Sequence, residues 1–524
     1  MAEKEATFLA SFLIFLHLLI DHVLEFILGW YLGPKRQCIL SQDKDQESIV
    51  SKSAVELAQL VRKRKLKSYD VVKAYLGRME ILKQQINAIM DGPFPEALEE
   101  ATEIDRKLDN NEYSESELKS KPFLGVPFTT KDSTAVAGKL QTLGLISRKN
   151  AKAEEDAECV RLMKESGAII IATSNVPEVN MWCETRNNLI GQTNNPYDLR
   201  RSAGGSSGGE AALISSCCTA FGLGTDIGGS IRIPAFKCGI FGHKPTKFAV
   251  DTRGCTFRTG KEEQTMVVAG PMARYSRDLM PIFKILLRPE VKEKMQIEKP
   301  VDLKKLRYFY IPCNRVWQCN PINNETQMVM HKVRRHFQNL TGNEVQLLKL
   351  PGTEYSHKLW RYWMTQEPAE FSKLLGNGIE VHPFAELLKK LVGKSDFTMA
   401  AIYGLINSIL PPEKEEKMRE ITSKLKRTLK EILGDDGVLF YHSSPRTAPF
   451  HYYPLAKFVD ISYFSIFNVL HTPVTQVPMG LDANGMPTGI QVVSNEMNDR
   501  LCIAVAEELE RGFGGWIPPY NIKN

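Results

Sequence analysis

The stretch 204-GGSSGGE-210, followed closely by 224-GTDIGGSIR-232, determines the chemistry and the fold class of this chain. Glycine lacks a Cβ, so its backbone can adopt positive φ angles and approach a ligand closely. The backbone N–H groups of Ile227, Gly228, Gly229 and Ser230 can therefore converge on one developing oxyanion. Ser230 ends this run, and its hydroxyl is placed to act as a nucleophile.

Lys131, in 124-LGVPFTTKDS-133, is the candidate base for such a serine. It follows an apolar run at 123–130 that predicts a buried strand. At the ordinary pKa of ~10.4, roughly one lysine in 2,500 is neutral at pH 7, and burial without a carboxylate partner increases that fraction. Asp132 is adjacent, but neighbouring strand residues point to opposite faces, so it need not pair with Lys131. Ser206 or Ser207 can relay a proton from nucleophile to base, and the residues alone leave that choice open.

Three other interpretations of the glycine-serine stretches compete with this one. A flexible linker is disfavoured because 210-EAALISS-216 predicts a helix and 218-CTAFGLG-224 predicts a buried strand. A phosphate-binding loop would end in Gly-Lys-Ser or Gly-Lys-Thr, which is missing here. The run 205-GSSGG-209 does fit a nucleophile elbow with Ser207 as nucleophile. That mechanism needs a histidine, such as His243, His442 or His451, and leaves Lys131 unexplained.

Three motifs in this order resemble the amidase signature family: 125-GVPFTTKD-132, 204-GGSSGGEAAL-213 and 222-GLGTDIGGSIRIPA-235. The resemblance implies a catalytic set with Lys131 as base, Ser206 as relay after a cis peptide bond, and Ser230 as nucleophile. It implies that the oxyanion and substrate-binding residues are Ile227, Gly228, Gly229, Ser207 and Ser230. The implied fold class is α/β, with a large mixed β-sheet core covered by helices on both faces.

The resemblance extends over roughly residues 50 to 520 through segments such as 192-QTNNPYD-198 and 239-GIFGHKPT-246. It is strongest to the membrane-associated members of the family that hydrolyse fatty-acid amides. The implied reaction cleaves primary fatty amides or N-acylethanolamines to a free acid and an amine. An amidase subunit of a transamidation complex, an amidase of other small amides, and a catalytically silent membrane scaffold are the alternatives. No cofactor is expected.

Composition favours one large catalytic domain, expected at 51–524. The chain has 524 residues, of which 43% are hydrophobic and 24% charged, enough for a sizeable core. The net charge of +6 is modest, so nucleic acid is not an expected partner. The ten cysteines include no Cys-x-x-Cys pair and predict neither a metal site nor a disulfide scaffold. A homodimer is one expected assembly.

The first 34 residues are expected to form an amino-terminal membrane segment, joined to the domain by a linker at 35–50. The apolar run 8–33 would reach about 39 Å as a helix, enough to cross a hydrocarbon core of ~30 Å. We therefore expect a single-pass protein of an intracellular membrane. Asp21 and Glu25 fall on one helical face, which is costly at a bilayer centre and leaves a tilted, oligomeric or partly interfacial helix open. Lys35 and Arg36 favour a cytosolic domain, whereas sequons at 324–326 and 339–341 are compatible with a luminal one.

The remaining chain predicts alternating helices and strands. Strands are expected at 168–172, 218–223 and 438–441, and Asn484-Gly485 predicts a hairpin turn near the carboxyl end. Ser53 with Glu56 and, further on, Ser68 are expected to open two helices. The apolar stretch 397–410 precedes an amphipathic helix at 411–433. It is expected to form a membrane-contacting cap or the mouth of an acyl channel, with ordinary core packing as the alternative.

Overall fold

The computed structural model describes residues 2–40, 44–263, 265–313 and 319–522. Residues 1, 41–43, 264, 314–318 and 523–524 lie outside the described residues. They include the first residue of the expected membrane segment, three residues of the expected linker, and the last two residues and two internal segments of the expected domain.

The strands are short at the periphery and longer in the centre of the molecule. In chain order they are β1 Ile39–Leu40, β2 Ile89–Asp91, β3 Pro127–Lys131, β4 Ile169–Ser174, β5 Arg186–Asn187, β6 Gly191–Gln192, β7 Asn194–Asn195, β8 Asp198–Ser202, β9 Phe221–Asp226, β10 Phe241–Lys244, β11 Val268–Ala273, β12 Arg307–Ile311, β13 Gln346–Leu347, β14 Gly437–His442, β15 Val474–Leu481, β16 Pro487–Ser494 and β17 Asn521–Ile522.

Eleven of these strands, within the described ranges, form one mixed sheet in the order β13-β12-β14-β16-β15-β10-β11-β9-β3-β4-β2. Strand β3 runs parallel to both β4 and β9, and β12 runs parallel to β13 and β14. The strands from β9 through β11, β10, β15 and β16 to β14 pair antiparallel. The expected mixed sheet is therefore confirmed.

The helices are α1 Ala2–Leu32, α2 Lys44–Val50, α3 Ala54–Arg62, α4 Ser68–Ile86, α5 Glu96–Asp109, α6 Glu115–Ser120, α7 Glu158–Glu165, α8 Gly208–Ser215, α9 Arg232–Lys237, α10 Ser276–Leu286, α11 Pro289–Lys294, α12 Asn324–Thr341, α13 Ser356–Met364, α14 Phe371–Leu375, α15 Pro383–Leu391, α16 Met399–Ser408, α17 Glu415–Leu433, α18 Ser462–Val469 and α19 Asp499–Phe513.

Helices cover both faces of the sheet. Every residue of β3, β4, β9, β11, β14 and β16 is buried, although successive side chains of a strand point to opposite faces. Helices α4 and α8 contact β3, while α10 contacts β11 and α19 contacts β15 and β16. The sequence of a strand that is buried on both faces is a continuous apolar run, and this is why these strands can be predicted from the sequence.

The predicted strands are all present, with shifted ends. The strand expected at 123–130 begins at Pro127 and includes Lys131, and the one expected at 218–223 is Phe221–Asp226. The hairpin is formed by β15 and β16, with Gly485 in the left-handed region at φ 76°. The parallel pairing of β3 and β9 brings the carboxyl ends of these strands to one edge, where Lys131 and Asp226 lie.

The two predicted helix starts have different caps. Ser53 accepts the Glu56 backbone N–H and caps α3. Ser68 begins α4 but does not cap it, because its hydroxyl donates to the Gly125 carbonyl. Instead, the Asp105 carboxylate of α5 accepts the first backbone N–H groups of α4, at 2.8 and 2.9 Å. A long-range carboxylate thus replaces the expected local cap.

The segment 35–50, expected as a linker, contains regular structure. Strand β1 pairs with β17, and α2 packs on α4. Arg78 of α4 is almost fully buried and binds Glu47 at 2.5 Å. Preceding it, Phe15–Leu32 of α1 is long and apolar enough to cross a membrane by length and composition.

Candidate functional site

Lys131, the last residue of β3, is fully buried beneath the two serine motifs. Its ammonium nitrogen lies 2.9 Å from Ser206 Oγ and 2.8 Å from Thr225 Oγ1, within donor distance of both hydroxyls. Parallel pairing with β9 brings Thr225 to this position, whereas Ser206 lies in the turn before α8. Of the two serines that the sequence left open, the structure brings Ser206 to the lysine.

No carboxylate in the described part of the chain forms an ion pair with Lys131. Asp132 is turned away and accepts the Thr142 backbone N–H and hydroxyl, at 3.0 and 2.9 Å. Glu210 accepts from Thr129 Oγ1 at 2.8 Å, and burial raises the pKa of its carboxyl to about 8. Burial lowers the pKa of Lys131 to about 7, so a large fraction of its amine is neutral at neutral pH.

Ser206 and Ser230 line the same cavity. The peptide bond between Gly205 and Ser206 is cis, as the family resemblance implies. Ser206 is 1% exposed and Ser230 is 8% exposed, so Ser230 is the more open of the two hydroxyls. The Ser207 backbone N–H donates to the Ser230 carbonyl at 3.2 Å and joins the two motifs directly.

A buried network organised by Asp226 holds the loop 227–231. Asp226 accepts from the Gly229 and Ile231 backbone N–H groups, at 2.8 and 3.1 Å. Arg232 makes a two-pronged contact with the same carboxylate, and Asn468 of α18 donates to it at 2.9 Å. Burial alone would raise the pKa of Asp226, but the charge and hydrogen bonds of Arg232, with smaller contributions from Lys244 and Asn468, together outweigh it and lower the pKa to about 2.

This network corrects the expected set of oxyanion donors. The Gly229 N–H is already donated to Asp226, so it does not point to a shared oxyanion. The N–H groups of Ile227, Gly228 and Ser230 have no acceptor within the described residues. Gly229 is needed for another reason, since its φ of 120° is a conformation that other residues rarely adopt.

The structure also argues against Ser207 as a nucleophile or a substrate-binding residue. Its hydroxyl is buried, faces Gly224 of β9 and does not line the cavities. The three histidines named as candidates for the elbow alternative lie elsewhere. His243 contacts Thr475 and Asp499, and His451 contacts Glu184. His442 is buried in β14, outside the cavity linings.

The cavity that contains Ser206 and Ser230 has a volume of about 620 Å³, and a smaller cavity of about 70 Å³ adjoins it at Ser230. Apolar residues from several distant segments line the larger one. They include Val179, Met181, Ile227, Val267, Trp360, Met364, Phe371, Leu374, Ile409 and Leu410. Asn180, Arg258, Glu367 and Asn407 provide polar positions. The site can therefore hold an apolar group next to a reactive hydroxyl.

The apolar stretch 397–410 lies partly in the core, partly in the cavity wall and partly at the surface. Ala401, Ile402 and Leu405 are buried on one side of α16, as the core-packing alternative expects. Ser408, Ile409 and Leu410 line the large cavity, and Ile409 is also 52% exposed. The stretch thus joins the core, the cavity wall and the surface.

Several residues of the site were missed from the sequence. Thr225 lies inside a recognised motif and could have been found from its position at the end of β9. Trp360 and Asn468 are more than 100 residues from the motifs they contact, and no local pattern marks them.

Comparison with known proteins agrees with this geometry. The family model described as Amidase matches residues 70–503. Fatty-acid amide hydrolase 2 of Homo sapiens is 39% identical over 485 residues, covering 90% of this chain and 91% of that protein. Fatty-acid amide hydrolase 2-A of Danio rerio is 38% identical over 477 residues, covering 89% of this chain and 90% of that protein.

Solved structures show the same fold at lower identity. A fatty acid amide hydrolase structure has a TM-score of 0.73 at 20% identity, covering 91% of this chain and 88% of that chain. An amidase crystal structure has a TM-score of 0.70 at 23% identity, covering 88% of this chain and all of that chain. This chain therefore belongs to the amidase family and is a hydrolase that acts on amide C–N bonds.

Proposed function

We propose that this protein is a membrane-associated amidase that hydrolyses fatty-acid amides by a Ser-Ser-Lys mechanism. The substrates are primary fatty amides or N-acylethanolamines, and the products are the free acid and the amine. One observation carries the mechanism: buried Lys131, which forms no ion pair with any described residue, contacts Ser206, and Ser206 shares a cavity with Ser230. The substrate class rests on the relatives, which are named as fatty-acid amide hydrolases.

In the proposed reaction, neutral Lys131 accepts a proton from Ser206, which accepts the proton of Ser230. Ser230 Oγ then attacks the amide carbonyl carbon, and the carbonyl π electrons move onto oxygen. When the tetrahedral intermediate collapses, the C–N bond breaks and the proton returns through Ser206 to the leaving amine. A water molecule hydrolyses the acyl-Ser230 ester by the same proton path, which releases the acid and restores the enzyme.

The loop 227–230 is the proposed oxyanion site. The proposed donors are the N–H groups of Ile227, Gly228 and Ser230, which have no acceptor in the described part of the chain. A preorganised donor of this kind contributes about 2.7–4 kcal/mol. Trp360 of α13 supports the loop from the cavity wall, because its indole N–H donates to the Ile227 carbonyl at 2.9 Å. The indole also packs on Gly228, where an added Cβ would lie 2.9 Å from Trp360 Nε1. We propose Trp360 as a positioning residue for the oxyanion loop.

The proposed acyl site is the large cavity. Its wall includes Ile409 and Leu410, which are also exposed at the surface, so the apolar lining continues outward. Helix α15 packs on α16 and carries exposed Phe384, Leu388 and Leu391, with Leu391 at 77% exposure. We propose that this surface faces lipid and that a fatty amide enters beside Ile409.

Replacing Ser230 by alanine is expected to abolish labelling by a fluorophosphonate, because the phosphorus forms its bond to the nucleophilic oxygen. Ser207→Ala and His243→Asn are the matched variants for the elbow alternative and are expected to retain labelling. In-gel fluorescence of the folded proteins provides the measurement. Labelling that survives Ser230→Ala, or disappears in His243→Asn while the protein remains folded, would contradict the proposal.

Trp360→Phe is expected to reduce kcat/KM for a short amide roughly three- to tenfold, since one neutral hydrogen bond contributes about 0.5–1.5 kcal/mol. Trp363→Phe is the matched control, because that indole donates to Thr422 of α17 at 2.9 Å and not to the loop. Steady-state kinetics give kcat/KM for each variant, and thermal unfolding shows whether each variant is folded. Equal kinetic losses in both would show that Trp360 has no special role.

Ile409→Glu is expected to decrease turnover of a long-chain amide at least about tenfold, because a charge in the apolar wall disfavours the acyl chain. Turnover of a short amide is expected to change by less than twofold. Leu388→Glu is the control, since Leu388 is exposed on α15 and does not line the cavity. In detergent it is expected to retain activity on both substrates. Equal losses on long and short amides in Ile409→Glu would refute the acyl-site assignment.

A further inference from the structure

Helix α1 presents a polar row to the rest of the protein. His17, Asp21 and Glu25 follow each other at intervals of four residues and therefore lie on one face. Asp21 is only 7% exposed although it belongs to an otherwise exposed apolar helix. A buried carboxylate needs partners, and they come from the catalytic domain.

These partners form a polar latch. Tyr453 Oη donates to Asp21 Oδ1 at 2.7 Å, and Lys457 Nζ lies 3.7 Å from the same oxygen. Arg446 lies 3.7 Å from Asp21 and 3.5 Å from Glu25. Arg201 lies 3.6 Å from Glu25. We call this set of residues the latch: Asp21, Glu25, Arg201, Arg446, Tyr453 and Lys457.

The contact between α1 and the domain continues on both sides of the latch. Lys457 Nζ lies 2.9 Å from His17 Nδ1. Gly29 packs on Phe450, where an added Cβ would lie 3.3 Å from the ring. Arg200 donates to the Gly33 carbonyl at 2.6 Å. From residue 17 to residue 33 the helix axis advances about 24 Å. The domain therefore contacts α1 along most of its apolar segment.

The opposite side of α1 is apolar and open. Trp30 is 81% exposed and Phe26 is 76% exposed. Other large apolar side chains share this exposure: Phe15, Leu19, Val23 and Tyr31. One face of the helix thus packs against the domain, and the other, broader face has no protein partner within the described residues.

This two-sided arrangement conflicts with a helix that crosses the bilayer. About 24 Å of contact would occupy most of a hydrocarbon core of ~30 Å and would take the five charged latch residues to membrane depth. A charged side chain near the centre of a bilayer is costly, because it loses its water there. A helix lying in the membrane interface inserts its apolar face by about 5–10 Å and leaves the polar face on the protein side.

We infer that α1 is an interfacial anchor, held on the catalytic domain by the latch, whose exposed apolar face inserts into one leaflet of a lipid bilayer. This goes beyond the proposed function, which needs membrane attachment but no particular orientation. Tyr453 and Lys457 lie just before Phe458 and Ile461, which line the smaller cavity next to Ser230. The latch therefore adjoins the wall of the catalytic site along one chain segment, so we expect the anchor to set the orientation of the site to the membrane.

Topology in sealed microsomes tests the anchor. A glycosylation tag is added to the full-length protein either before Met1 or after Asn524, and protease protection with and without detergent locates each tag. An interfacial anchor predicts that both tags lie on the same side of the membrane. Tags on opposite sides would overturn the inference, because they require the helix to cross.

Cross-linking tests the latch. In vesicles, a lipid-soluble carbodiimide is expected to condense the Asp21 carboxylate with the Lys457 amine, with net loss of one water, and mass spectrometry identifies the joined peptides. Lys284 and Glu298, 2.5 Å apart, are the internal positive control. Asp21→Asn and Lys457→Arg are expected to abolish the first cross-link and keep the second. If the control pair joins in the unmodified chain and the Asp21–Lys457 pair does not, the latch is refuted.

Discussion

The burial of Lys131 without a counter-charge is the constraint on which the rest of the site depends. Removing an ammonium group from water favours its neutral form, and an adjacent carboxylate would cancel that effect. The charges of Asp226 and Glu210 do favour the ammonium, but burial outweighs them, because the neighbouring carboxylates are engaged elsewhere. Asp132 is bound to Thr142, Glu210 is disfavoured as an anion by its own burial, and Asp226 is paired with Arg232. Burial therefore lowers the pKa of Lys131 to about 7, and the charges of its neighbours do not reverse that shift.

The ion pair of Asp226 and Arg232 also links the burial of Lys131 to the geometry of the loop 227–231. Both residues are fully buried, and breaking one partner of a buried pair typically costs 3–5 kcal/mol. The carboxylate holds two backbone N–H groups of the loop, while Arg232 reaches Gln491 of β16 and the Phe464 carbonyl of α18. The loop that presents Ser230 is thereby tied to the central sheet. The N–H groups of this loop that have no acceptor among the described residues are the proposed oxyanion donors, and such donors act best when they are preorganised.

The sequence predicted the local parts of this account and missed the distant ones. Lys131 at a strand end and the clustered glycines near Ser230 are visible because one short segment contains all the information. The residues alone left Ser206 and Ser207 open and the family resemblance implied Ser206, but the physical reason needed the fold, since the position of β3 brings the Ser206 hydroxyl to the amine. Gly229 was assigned as a donor because glycine runs suggest open N–H groups, but Asp226, three residues earlier, accepts it. Asp21 appeared to be a defect in a membrane helix, and only tertiary contacts identify it as a docking residue.

The central claim is that Lys131 is the neutral base and the source of the proton for the leaving amine. The measurement that tests it most directly is kcat/KM against pH for a matched amide and ester, with the unmodified protein and with Lys131→Ala. The account predicts that activity of the unmodified protein rises through a pKa of about 7, because protonated Lys131 cannot accept a proton below it. Lys131→Ala should lose this inflection and lose more activity on the amide, whose leaving group needs the proton. An inflection that persists in Lys131→Ala, with equal losses on both substrates, would contradict the account.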